Sequence, residues 1–118
     1  MNTVLIIDDS KTSRSMLRNI LTENEYEVVA EAENGEEGFN KYCELRPDFV
    51  TLDITMPVMD GIQTLEKIKE YDSDAKVVMV TAAGQKNKML EAIKLGAAEF
   101  VTKPFETSQI ISILESIK

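Results

Sequence analysis

Val4-Leu5-Ile6-Ile7-Asp8-Asp9 is an apolar run that ends in two carboxylates, and the arrangement returns along the chain. Phe49-Val50-Thr51-Leu52 runs into Asp53, Val77-Val78-Met79-Val80 into Thr81, and Phe100-Val101-Thr102 into Lys103-Pro104. Runs this short, separated by stretches of helical spacing, predict buried parallel strands. In an open parallel sheet, functional groups collect beyond the carboxyl ends of the strands. Asp8, Asp9, Asp53, Thr81 and Lys103 are therefore expected to meet at one edge, which is the candidate site.

The intervening stretches supply the helices. Ser10 to Asn24 carries Met16, Leu17, Ile20 and Leu21 at helical spacing, and Glu27 to Ala32 alternates around Val28 and Ala30 like a half-exposed edge strand. Asn34 is a good N-cap, with Glu36 and Glu37 where the helix dipole favours them. Phe39, Tyr42 and Cys43 form that helix's apolar stripe, and Pro47 prevents its continuation. Ile62, Leu65 and Ile68 mark the next helix, and Met89, Leu90 and Ile93 another that closes at Gly96. Ile110, Ile113, Leu114 and Ile117 mark the last. Five rounds of strand then helix predict an α/β doubly wound parallel sheet with helices on both faces.

The chain has 118 residues, 43% hydrophobic and 29% charged, which suits one domain with a real core; residues 1–118 are expected to form it, with no output domain. Thirteen basic against 21 acidic residues give a net charge of −8, which argues against nucleic-acid binding through phosphates. There is no histidine, which excludes Ser-His-Asp triads, phosphohistidine chemistry and His-type zinc sites in this chain. Cys43 has no partner for an internal disulfide and reads as buried filler. No apolar run reaches membrane-spanning length, so no membrane is expected and the cytoplasm follows by default.

Asp8 and Asp9 alone are a weak signal, since adjacent aspartates before a helix are more often caps than ligands. Asp53, at the end of a different strand, has no such explanation. Carboxylates within ~5 Å of one another repel by a few kcal/mol per pair at an effective dielectric of ~20, so something must compensate them. Oxygen ligands without imidazole or thiolate point to a hard cation, Mg²⁺ or Mn²⁺. Lys103 is expected to pair with Asp53, and Pro104 holds it extended, in a bond that can be cis. With a metal, an ammonium and the Thr81 hydroxyl around it, Asp53 reads as a nucleophile in an electrophile-stabilising site.

The stretches Ile7-Asp8-Asp9-Ser10, Leu52-Asp53-Ile54-Thr55-Met56-Pro57, Asp60-Gly61, Val80-Thr81-Ala82, Gly96-Ala97 and Lys103-Pro104-Phe105 resemble the receiver domains of bacterial response regulators along the whole chain. The stand-alone chemotaxis regulators are the most similar. The resemblance implies a flavodoxin-like (βα)5 fold with strand order 2-1-3-4-5. It implies that Asp53 accepts a phosphoryl group from a sensor histidine kinase. It also implies that Asp9, Asp53 and the Thr55 carbonyl bind Mg²⁺, with Asp8 acting through a water.

By the same likeness Thr81 moves toward the phosphoryl group and Phe100 turns inward, the two forming the switch. A Phe100 fixed in the core is the competing reading. The fourth and fifth helices and the last strand form the readout surface, with Leu95 and Phe100 as apolar contacts. A monomer that binds an output protein such as a flagellar motor switch follows, rather than an enzyme. A phosphorelay carrier or another single-domain regulator is the alternative within the class. Thr55 and Ala83 stand where enteric chemotaxis regulators carry an amide and a carboxylate, so their short phosphoryl lifetime is not expected. An aspartate-nucleophile phosphohydrolase of the haloacid dehalogenase type is disfavoured. Thr55 occupies the place of its general acid/base. A flavin-binding reading fails because Asp8-Asp9 repels a phosphate.

Overall fold

A computed structural model describes all residues 1–118. The strands are β1 (Thr3–Ile7), β2 (Glu27–Ala32), β3 (Phe49–Asp53), β4 (Val77–Ala82) and β5 (Glu99–Lys103). The helices are α1 (Lys11–Glu23), α2 (Gly35–Leu45), α3 (Gly61–Tyr71), α4 (Lys86–Lys94) and α5 (Thr107–Ser116). The strands form one sheet in the order β2-β1-β3-β4-β5, every pair parallel. This is the flavodoxin-like fold that the resemblance implied.

Alternation along the central strands divides the core in two. Val4, Ile6, Phe49, Val78 and Val80 pack with Leu17 and Leu21 of α1 and Ile110 and Leu114 of α5. Leu5, Ile7, Val50, Leu52, Val77 and Met79 face the other way, toward Tyr42 of α2, Leu65 and Ile68 of α3 and Ala92 of α4. Because both faces are covered, these strands read as continuous apolar runs rather than as alternating ones.

The helix starts are locally encoded. Ser10 accepts from the Ser13 amide, Asn34 from Glu37, and Asp60 from Gln63 within a reciprocal capping box. Gly61 is required by proximity. Its amide donates to the Ile54 carbonyl at 2.6 Å, and a Cβ there would lie 2.1 Å from the Asp53 carbonyl oxygen.

Several expected faces differ. Met16 is exposed, and the inward stripe of α1 is Arg14, Leu17, Ile20 and Leu21. Cys43 is half-buried rather than buried. On α4 only Ala92 is buried, flanked by the partly buried Met89 and Leu95, while Leu90 and Ile93 face outward. The small Ala92 lets the helix approach the sheet closely, which makes 89-92-95 the inward row and turns 90-93 out. Leu95 is partly buried and packs against the core, so only part of it remains for the readout surface.

Candidate functional site

Strand register assembles the site. Ile7 pairs with Leu52, so Asp8 and Asp53 stand one residue beyond on neighbouring strands. Asp53 pairs with Val80, Thr81 with Thr102, and Ala82 with Lys103. Carboxylate oxygens of Asp8, Asp9 and Asp53 lie within 4.8 Å of one another. Asp8 is 1% exposed and Asp53 7%, whereas Asp9 faces solvent.

Each carboxylate has its own support. Asp8 Oδ1 accepts from the Ser10 amide at 2.9 Å, and Asp8 Oδ2 lies 3.0 Å from Lys103 Nζ. The same ammonium is 3.6 Å from Asp53 Oδ2, so Lys103 pairs with Asp53 as expected and, more closely, with Asp8, which the sequence did not indicate. The reason is charge: Asp8 is the most deeply buried carboxylate, and a buried anion needs the closest counter-ion. The Lys103–Pro104 bond is cis.

Asp53 has its pKa raised to about 6, chiefly because burial penalises its charge and because Asp8 repels it. Lys103 and the Ile54 amide pull the other way, and Asp9 adds a little to the rise. One ammonium among three carboxylates leaves the cluster short of positive charge. The donor set is all hard oxygen, so it fits a hard divalent cation.

Sequence reading missed two residues here. Arg14 is buried on the first turn of α1, donates Nη1 to the Asp8 carbonyl at 2.7 Å, and pairs with Glu31 at 3.2 Å and Glu33 at 3.4 Å. Its one sequence signal was an arginine three places before Leu17 on the inward stripe. Gln85 is the other. Thr81 is wholly buried and its hydroxyl donates to Gln85 Oε1, while Gln85 Nε2 donates to the hydroxyl of the exposed Thr55. Phe100 is 38% exposed, so it is neither turned inward nor fixed in the core. With Ala83, Met89, Leu90 and Ile93 it lines a shallow apolar groove beside α4.

Residues 4–115 match the response regulator receiver domain. The chain belongs to that family. This receiver is 49% identical over 112 residues to the chemotaxis protein CheY of Listeria monocytogenes, covering 95% of this chain and 94% of the relative. It is 46% identical over 114 residues to CheY of Thermotoga maritima, covering 97% and 95%. Among solved structures it is similar to a CheX-CheY-BeF3-Mg complex from Borrelia burgdorferi, with a TM-score of 0.94 and 36% identity, covering 98% of this chain and 88% of that one. The receiver is a phosphorylation-activated signalling domain of the two-component, chemotaxis type. No helix is long and apolar enough to cross a membrane.

Proposed function

We propose that Asp53 takes a phosphoryl group from the phosphohistidine of a sensor histidine kinase, and that the change switches binding to an output protein. The observation that carries this reading is a buried carboxylate at a strand end, with two more carboxylates and one ammonium around it. Asp8, Asp9 and Asp53, with the Thr55 carbonyl, would hold Mg²⁺ or Mn²⁺. When bound, the cation offsets carboxylate repulsion and the charge on the phosphoryl oxygens.

The chain's own residues do the rest. Asp53 attacks phosphorus with one carboxylate oxygen, a P–O bond forms, and the P–N bond to the kinase imidazole breaks. Lys103, already between Asp8 and Asp53, balances the new anion. The Thr81 hydroxyl donates to a phosphoryl oxygen, and Phe100 responds from the next strand over. Because Ala83 offers no polar group to orient a water, the short phosphoryl lifetime of enteric regulators does not carry over to this chain.

Residues 1–118 act as one monomeric receiver in the cytoplasm, by binding rather than by turnover. A chemotaxis kinase and a flagellar motor switch protein are the partners that the similarity to chemotaxis regulators favours. With Mg²⁺ and acetyl phosphate the chain should gain one acid-stable, base-labile phosphoryl group by intact mass, and Asp53→Asn should abolish it. Label surviving in Asp53→Asn, or absent from wild type with every donor, would overturn the assignment.

A further inference from the structure

Gln85 occupies the N-cap position of α4 but makes no side-chain capping bond. N-cap side chains ordinarily accept from the first-turn amides, as Ser10, Asn34 and Asp60 do in this chain. The Gln85 amide is instead turned back across the mouth of the site. Its Oε1 accepts from Thr81 Oγ1 at 2.5 Å, and its Nε2 donates to Thr55 Oγ1 at 2.6 Å. The next acceptor near Thr81 Oγ1 is the Ala82 carbonyl at 3.4 Å. One side chain therefore joins the end of β4, the loop after β3 and the start of α4.

We propose that Gln85 is a positioning residue that latches the unphosphorylated state by holding the Thr81 hydroxyl and tying it to Thr55. The proposal rests on Asp53 being the phosphoacceptor and Thr81 the group that responds to it. A hydroxyl has one proton to donate, so Thr81 cannot serve Gln85 Oε1 and a phosphoryl oxygen together. A phosphoryl group on Asp53 must compete for that proton. When it wins, the Gln85 carbonyl loses its donor and the first turn of α4 loses its anchor. Of that helix only Ala92 is fully buried and Met89 partly so, so its first turn is lightly held once the Gln85 contacts are lost. The groove lined by Met89, Leu90, Ile93 and Phe100 borders the same turn. The latch thus connects the occupancy of Asp53 to the surface beside α4.

The test uses beryllofluoride with Mg²⁺, a pair present in the Borrelia burgdorferi complex. Gln85→Met keeps the length of the side chain and removes both polar atoms. Since one net hydrogen bond no longer has to be broken, it should bind beryllofluoride roughly two- to tenfold more tightly than wild type by calorimetry. Gln85→Ala should do the same. In a Thr81→Val background either change should have no effect, because the latch then holds nothing. A readout without metal is the NMR shift of the Gln85 side-chain amide, which should move in both Thr55→Val and Thr81→Val. Wild type that fails to bind beryllofluoride in Mg²⁺ would sink the phosphoacceptor reading itself. Wild-type binding with no gain in Gln85→Met, or a gain that persists in Thr81→Val, would overturn the latch and leave that reading standing.

Discussion

Lys103 lies nearer to Asp8 than to Asp53, at 3.0 Å against 3.6 Å. One ammonium thereby spans the carboxyl ends of β1 and β3 and is the only cation in contact with the cluster's carboxylates. Asp53 keeps the longer contact, and burial first and the charge of Asp8 second raise its pKa, with Lys103 offsetting only part of the rise. The arrangement gives the shorter ion pair to Asp8. If Asp53 takes the phosphoryl group as proposed, its longer contact leaves Lys103 room to adjust to a larger anion.

Replacing Lys103 with alanine should therefore harm the metal-free protein most. In chelator, Lys103→Ala should lose about 1–3 kcal/mol of stability, since two buried carboxylates lose their counter-ion. Millimolar Mg²⁺ should restore more of that loss than it adds to wild type, because the cation replaces the missing charge. Urea unfolding with and without Mg²⁺ measures both.

Asp53 sets a pH dependence whose sign is fixed. Its folded pKa of about 6 lies above the ordinary value of 3.8, so between those values the folded state binds more proton than the unfolded state. Stability of the metal-free protein should fall as pH rises from about 4 to about 6, by up to about 3 kcal/mol from this group. Asp53→Asn should flatten that part of the profile. Thermal melts in chelator across the interval test it, and a profile identical in wild type and Asp53→Asn would refute the cause.

Arg14 should matter to the site through the backbone. Its guanidinium holds the Asp8 carbonyl and two glutamates on the β2 side, so Arg14→Met should cost about 1–3 kcal/mol. The Mg²⁺-induced rise in melting temperature should also shrink, because the turn carrying Asp8 and Asp9 is less well held. Arg14→Lys should recover little, since a point charge cannot reproduce the fork.

Val58 offers a gain in stability. It has φ 69°, in the left-handed region that disfavours a β-branched residue, and is 75% exposed in the loop between β3 and α3. Val58→Asn should raise stability by about 0.5–1 kcal/mol, because asparagine tolerates that conformation and no buried packing is lost. Chemical denaturation midpoints check this, and a lower midpoint would show that the valine side chain makes contacts of its own.

The strands, the starts of α1 and α2, and the gathering of Asp8, Asp9, Asp53, Thr81 and Lys103 at one edge were legible in the chain. Apolar runs, caps and turn residues act over a few positions, and a parallel sheet sends every strand's end to the same side. Residues that bind by reaching across the fold left no such trace. Gln85 stands 30 positions from Thr55, and nothing near it in sequence says that its amide will turn inward. The facing of α4 was equally hidden, since Met89, Leu90 and Ile93 fit a helical stripe whichever row is buried. Close approach of the helix at Ala92 decided that. Sequence by itself determined which strand-end groups share an edge, because alternating strands and crossover helices make every strand run the same way. Only the tertiary structure decided which partner each group chooses, because counter-ion distance and side-chain reach depend on how deeply neighbours from distant segments are packed.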